Sequence, residues 1–265
     1  MMIKQNLFKK ALGQKKTLFG LWQGIPDTTV AEIGAGAGFD WLLIDAEHGP
    51  FDLSSIMAHL QAVEPYPVSA IVRPVEGSTA LVKQLLDIGA QTLLIPMVDT
   101  AGQAEQIVRA AKYPPQGARG VGTSMARAAN WNRTPTYLTD ANEQICIIVQ
   151  IETLLGLKNI EAIANVNGVD GVFIGPSDLS AAMGKVGDPE NSEVIAAIKV
   201  GLKAIQLAGK SAGVLTVSAE LVKTYQDAGA KFIGVGVDAA LLAKATKQLA
   251  SLFLADATNE TTAGY

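Results

Sequence analysis

Eight parallel strands alternating with helices and closed into a barrel, the (β/α)8 form of the α/β class, is the fold this sequence predicts. Short apolar runs recur along its whole length, at 18–22, 41–45, 70–73, 92–96, 145–151, 171–175, 212–216 and 232–237, with helical spacing between many of them. That alternation is the pattern of a parallel sheet covered by helices, and eight is the strand number of the commonest such barrel. Three of the runs also end abruptly in acids. Leu42-Leu43-Ile44 leads to Asp45, Glu47 and His48, Val149-Gln150-Ile151 to Glu152, and Phe173-Ile174-Gly175-Pro176-Ser177 to Asp178. Titratable groups at the end of an apolar strand do not serve packing, and strand ends are where a barrel assembles an active site.

Taken in order, residues 1–10 mix lysines with Leu7 and Phe8, without a long apolar core or a small-residue cleavage site. This argues against a signal peptide and predicts a surface helix. The first strand follows, with Trp22 at its end. Gly34-Ala35-Gly36-Ala37-Gly38 has dinucleotide-motif spacing, but it follows a helix and precedes a strand, the reverse of the required context, so a helix-to-strand turn is expected. The second strand runs into Asp45, and the third ends at Arg73 before Pro74. A helix over 79–87 stops at Gly89 and leads to the fourth strand. The connection 113–144 then breaks the rhythm: it is long and holds Pro114-Pro115, Gly117, Gly120, Gly122, Trp131 and Pro135, and its Trp and Arg content predicts a folded flap. Helices over 192–208 and 219–228, stopped by Gly209 and Gly229, precede the last two strands. On the eighth strand, Gly234-Val235-Gly236-Val237-Asp238 fits either a phosphate site or close packing. The small polar tail, 255–265, is expected to pack on a neighbour or to fray.

Chain length agrees with one barrel domain over 1–265, since such barrels commonly run to about 250 residues. Hydrophobic residues make up 49% and charged residues 17%, the balance of a soluble folded protein rather than a disordered one. No apolar run approaches the roughly 20 residues of a membrane span. A net charge of −4 offers no broad basic surface, which argues against a nucleic-acid partner and leaves a small molecule. The one cysteine, Cys146, lies in Ile145-Cys146-Ile147-Ile148, reads as a core thiol and permits no internal disulfide. A cytoplasmic location is expected.

Glu152 and Asp178 end the fifth and sixth strands, so their carboxylates can converge at the barrel mouth. Two facing acids repel unless a proton or cation lies between them, and with no suitable Cys or His a hard ion such as Mg²⁺ or Mn²⁺ is the natural occupant. The bland alternative makes Asp178 a helix cap. Arg73 projects toward the same mouth, offering planar donors to an anionic substrate or forming a salt bridge to Asp45 or Glu47. His48, with Asp45 three positions earlier to fix its tautomer, suits a general acid or base, whereas His59 reads as a packing residue within a helix. Most lysines fall on helices or where strands begin, the wrong end for imine chemistry. Lys185, in the loop after Asp178, is the one conceivable exception.

Taken together, residues 38–50, Arg73-Pro74, 85–97, 113–122, 149–152 and 171–180 resemble the HpcH/HpaI aldolases, over about 17–253. The resemblance implies a (β/α)8 TIM barrel of the phosphoenolpyruvate/pyruvate type and a metal-dependent class II pyruvate aldolase. Glu152 and Asp178 would bind Mg²⁺, Mn²⁺ or Co²⁺, and the metal would chelate pyruvate. Arg73 would hold the keto or enolate oxygen, and His48, oriented by Asp45, would act on the aldol hydroxyl. Gln150, Gly175, Ser177 and Asp178 would surround the pyruvate, with Trp22, Leu215 and the 113–144 loop toward the aldehyde. Asp87 would serve a neighbouring subunit's site, in a homohexamer (a trimer of dimers) whose last helix is exchanged. Ser177 departs from the Ala of many members, a mild change. Residues 73–78 and 97–101 look more like the 2-keto-3-deoxy-L-rhamnonate branch, and Trp131-Asn132-Arg133 more like the 4-hydroxy-2-oxoheptanedioate branch. Another metal-dependent lyase on a related substrate, or a non-catalytic binding barrel, stays open.

Overall fold

The computed structural model describes residues 3–14 and 16–254, so the expected polar tail lies outside the described residues. Eight strands form the barrel: β1 (Leu18–Gln23), β2 (Trp41–Asp45), β3 (Ser69–Arg73), β4 (Thr92–Ile95), β5 (Cys146–Ile151), β6 (Gly171–Ile174), β7 (Ser211–Leu215) and β8 (Ala230–Val237). Each pairs in parallel with the next, and β1 with β8 closes the ring. Around it run α1 (Leu7–Leu12), α2 (Thr28–Ala35), α3 (Leu53–Val63), α4 (Thr79–Asp87), α5 (Ala101–Ala111), α6 (Tyr137–Gln144), α7 (Leu154–Lys158), α8 (Ile160–Ala164), α9 (Pro176–Ala182), α10 (Ser192–Leu207), α11 (Ala219–Asp227) and α12 (Asp238–Leu254). The expected strands differ from these by one or two residues at their ends.

Alternate strand positions point inward and pack as one cluster of Trp22, Trp41, Leu43, Ile71, Leu94, Cys146, Ile148, Phe173 and Phe232. Neighbouring strands make room for the large rings. A Cβ on Gly20 would stand 2.1 Å from the Trp41 ring, and one on Gly213 2.2 Å from Phe232. Gly234 leaves space for Trp22 in the same way, with a Cβ 2.8 Å from that ring, so close packing accounts for the glycines of β8. The opposite strand faces build the larger sheet-to-helix core. Gly89, Gly209 and Gly229 all adopt positive φ where their helices stop, the left-handed closure that glycine allows.

Two expectations about position are corrected. The N-terminal helix is a plug rather than a surface helix: α1 buries Phe8 and Leu12, and the Phe8 ring packs edge-on against Trp41 and Phe232. Its apolar pair covers the barrel floor, which would otherwise expose the inner aromatic cluster. The 113–144 connection, expected to wall the aldehyde pocket, lies at this floor in its own chain. It follows a helix and precedes a strand, which puts it at the N-terminal end of the strands, and Arg127 there pairs with Glu64 at 2.5 Å and donates to the Ile88 carbonyl. Arg133 stacks on Trp131 in the same flap.

The last helix leaves its own barrel. Of α12 only Asp238 is buried, while Leu241, Leu242, Leu249, Leu252, Phe253 and Leu254 are all more than half exposed. Among the described residues no helix is long and apolar enough to cross a membrane.

Candidate active site

Register brings the first pair of charges together at the mouth. Asp45 ends β2 directly opposite Arg73 at the end of β3. Arg73 Nε donates to Asp45 Oδ1 at 2.9 Å and Nη2 to Oδ2 at 2.7 Å, while Nη1 lies 2.9 Å from Glu47 Oε2. The Trp22 ring lies 5.5 Å from the guanidinium carbon. Both salt bridges read as the bland alternative are therefore formed. They fix the guanidinium without exhausting it, because it carries five N–H groups.

The expected hold of Asp45 on the His48 ring takes another form. The guanidinium on the adjacent strand offers Asp45 a two-point match, so the carboxylate goes there and reaches His48 only through its backbone N–H, at 3.4 Å. Beside the imidazole stands Glu47, its Oε2 3.9 Å from His48 Nε2. The His48 side chain is 65% exposed, open to the mouth. Burial raises the Glu47 pKa, against the lowering influence of Arg73 and then His48. His59 is a packing residue, buried edge-on against Phe51.

Glu152 is buried at the end of β5. Its Oε1 accepts the Met97 N–H at 2.9 Å and its Oε2 the Gln150 amide at 2.5 Å. Met97 adopts a φ of 56°, a left-handed turn right after β4, and its N–H is the one that meets the carboxylate. Burial above all pushes the Glu152 pKa to about 7. The bonds from Gln150 and Met97 lower it, and the charges of Asp178 and Glu47 raise it further. Gly175 lies directly against this group, since a Cβ there would stand 2.6 Å from Glu152 Oε2. Asp178 is exposed in the first turn of α9 and is not its cap, a position that Gly175 holds without any side chain. Ser177 is exposed beside it. Gln150 Oε1 is buried without a partner, an acceptor left over in the middle of the site.

These residues suit a divalent cation. Asp45, Glu47, Glu152 and Asp178 gather around one guanidinium, an excess of negative charge that a hard, oxygen-binding ion would offset. Among the described residues no group of three His, Cys, Asp or Glu side chains forms a ligand cluster. Glu152 and Asp178 thus offer two oxygen ligands and leave the other positions to substrate and water.

The remaining expected residues are more dispersed. Trp22 and Leu215 belong to the inner aromatic layer beneath the mouth, Trp22 packing on Phe173 and Trp41. Asp87, at the C-terminal end of α4, is on the floor side and pairs with Arg119 at 2.6 Å. Lys185 pairs with Glu193 at 3.2 Å. Three participants carried no assigned role in the sequence: Glu47, the Met97 amide and Arg119. Glu47 and Arg119 stand in motifs already noticed, whereas a left-handed methionine has no sequence signature.

A family model described as HpcH/HpaI aldolase/citrate lyase matches residues 18–245. A hydroxypyruvate/pyruvate aldolase of Pseudomonas aeruginosa is 54% identical over 94% of this chain and 92% of its own length. A 4-hydroxy-2-oxo-heptane-1,7-dioate aldolase of Escherichia coli is 51% identical over 96% and 97%. Among solved structures, a HpcH/HpaI aldolase/citrate lyase family protein of Burkholderia cenocepacia superposes with a TM-score of 0.90 at 36% identity, over 94% of this chain and 99% of that one. The barrel, the acid-lined mouth and these likenesses agree: the chain belongs to the HpcH/HpaI aldolase/citrate lyase family.

Proposed function

We propose that the protein is a divalent-metal-dependent class II aldolase, a carbon–carbon lyase that reversibly cleaves 4-hydroxy-2-oxo acids to pyruvate and an aldehyde. The observation that carries this reading is the meeting of Glu152, Asp178, Arg73 and His48 at one barrel mouth. The names of the relatives support it.

A bound Mg²⁺, Mn²⁺ or Co²⁺ ion at Glu152 and Asp178 supplies Lewis-acid stabilisation of negative charge. The protein's own groups do the rest. Arg73, pinned by Asp45 and Glu47, turns its remaining N–H donors toward the keto oxygen. Gln150 lies beside it, and the backbone from Gly175 to Asp178 receives the carboxylate. His48 removes the proton of the C4 hydroxyl, the C3–C4 bond breaks, and its electron pair moves onto the ketone to give an enolate oxygen facing Arg73. Preorganised donors of this kind stabilise the charge where it develops. Protonation at carbon then releases pyruvate, and the reverse sequence is aldol addition.

The donor shared by both groups of named relatives is a 2-oxo carboxylate, pyruvate or hydroxypyruvate, and that is the part Arg73 and Gln150 address. 2-Keto-3-deoxy-L-rhamnonate and 4-hydroxy-2-oxoheptane-1,7-dioate are the substrates we favour. The apolar face of α12, uncovered in one chain, supports a homo-oligomer in which that helix packs on a second copy, with the hexamer as our reading of its size. The buried, lone Cys146 fits a cytoplasmic enzyme. Borohydride added with pyruvate tests the mechanism: activity should survive, because no lysine carries the reaction. A trapped lysine adduct with loss of activity would contradict it.

A further inference from the structure

Asp87 and Arg119 are each badly placed alone. Asp87 ends α4, where the helix dipole disfavours a negative charge. Arg119 is 1% exposed, and a guanidinium stripped of water is strongly unfavourable without a partner. Its Cζ lies 4.5 Å from the Tyr113 ring centroid and 5.7 Å from that of Tyr137. Ring faces attract a cation, so this aromatic pair replaces part of the lost hydration and fixes the side chain. Nη2 donates to Asp87 Oδ1 at 2.6 Å and to the Tyr137 hydroxyl at 3.2 Å. Nε and Nη1 are buried without a hydrogen-bond partner among the described residues.

The burial is lopsided. The cation is fully enclosed, while the Asp87 side chain keeps 38% of its exposure. A pair that served only to hold the flap onto α4 would gain nothing from leaving its acid in solvent. The floor carries this acid and the mouth carries His48, so within one barrel the two never meet.

We propose that Arg119, caged by Tyr113 and Tyr137, is a positioning residue that holds the Asp87 carboxylate outward in one orientation for the active-site mouth of a second copy of the chain. This rests on the oligomer reading given above. It makes the flap's Arg119-Gly120-Val121-Gly122 motif part of the reaction machinery, through Asp87 rather than through substrate.

Kinetics of D87N, R119M and the D87N/R119M double variant test the proposal, with pH profiles of kcat/KM and sedimentation of each. R119M should lower kcat on the order of 10- to 10²-fold, as misplacing a reacting group does. It should leave the KM for pyruvate and the oligomer size unchanged, displace the pH profile as D87N does, and cost nothing further in the D87N background. Mixed oligomers of R119M and H48A chains should regain activity that neither has alone, because some mouths then combine His48 with an intact Asp87–Arg119 pair. A defective D87N beside a fully active R119M, or losses that multiply in the double variant, would overturn the role of Arg119. A fully active D87N would instead overturn the reading of Asp87 itself. If R119M does not fold, R119K, which keeps the charge but loses the planar fork, is expected to reproduce the D87N phenotype, and wild-type kinetics for it would refute the cage.

Discussion

At Arg73 the chemistry depends on donors left over after the salt bridges are made. Asp45 and Glu47 engage three of its five N–H groups, which leaves two for the oxygen that becomes charged. Lysine keeps the charge and loses the fork, so R73K should lower kcat by roughly 10²-fold or more. His48 handles the hydroxyl proton and not the enolate, so H48A should impair C–C cleavage more than deuterium exchange at the pyruvate methyl; equal losses would count against its role. Glu152 makes a separate, pH-dependent prediction. Its folded-state pKa of about 7 lies above the ordinary value of 4.5, so the metal-free fold holds this proton more tightly than the unfolded chain does. The contribution to stability is complete below the unfolded value and is lost as pH rises through about 7. E152Q should therefore flatten the fall in Tm of metal-free protein between pH 5 and 8, and an unchanged slope would contradict the assignment.

Among the elements, strand ends deliver the chemistry and glycines set the spacing. Gly175 is the sharpest case, because a methyl group there would displace Glu152 Oε2. G175A should keep the circular dichroism of the fold while weakening Mn²⁺ retention at least about tenfold, as losing a ligand's support does; unaltered Mn²⁺ titration would show that Glu152 is not held from this side. The strands were legible because the apolar runs are short, β-branched and closed by turn residues, and Asp45, Arg73, Glu152 and Asp178 could be placed by counting to the end of each run. Phe8 and Leu12 were not legible as a plug, since a helix as short as α1 offers no period that says which surface it covers. The 113–144 flap was misplaced for a different reason. Its composition reads as functional, but its end of the barrel follows from its place between α5 and β5. Nor does any residue pattern announce that Asp45 prefers the Arg73 fork to the His48 ring, because that choice is made by strand register.

For the molecule as a whole, the floor and mouth lie at opposite ends, and the flap's arginines are engaged at the floor. The aldehyde half of the site in one chain therefore has no dedicated cation to grip a distal carboxylate, and apolar pockets separate similar substrates by only about 10 to 200-fold. The kcat/KM values for pyruvate with lactaldehyde and with succinic semialdehyde should differ by no more than that. A preference of roughly 10⁴ for the semialdehyde, abolished by R127A or R133A, would reveal a carboxylate clamp formed between copies. The central claim is that these four mouth residues make a metal-assisted pyruvate aldolase. The measurement that tests it most directly is pyruvate release from a panel of 4-hydroxy-2-oxo acids, before and after chelation, with E152Q alongside. The account predicts release by the wild type, its loss on chelation, its return with Mn²⁺, Mg²⁺ or Co²⁺, and no return for E152Q; full release from the chelated protein, or none from any member of the panel with metal present, would contradict it.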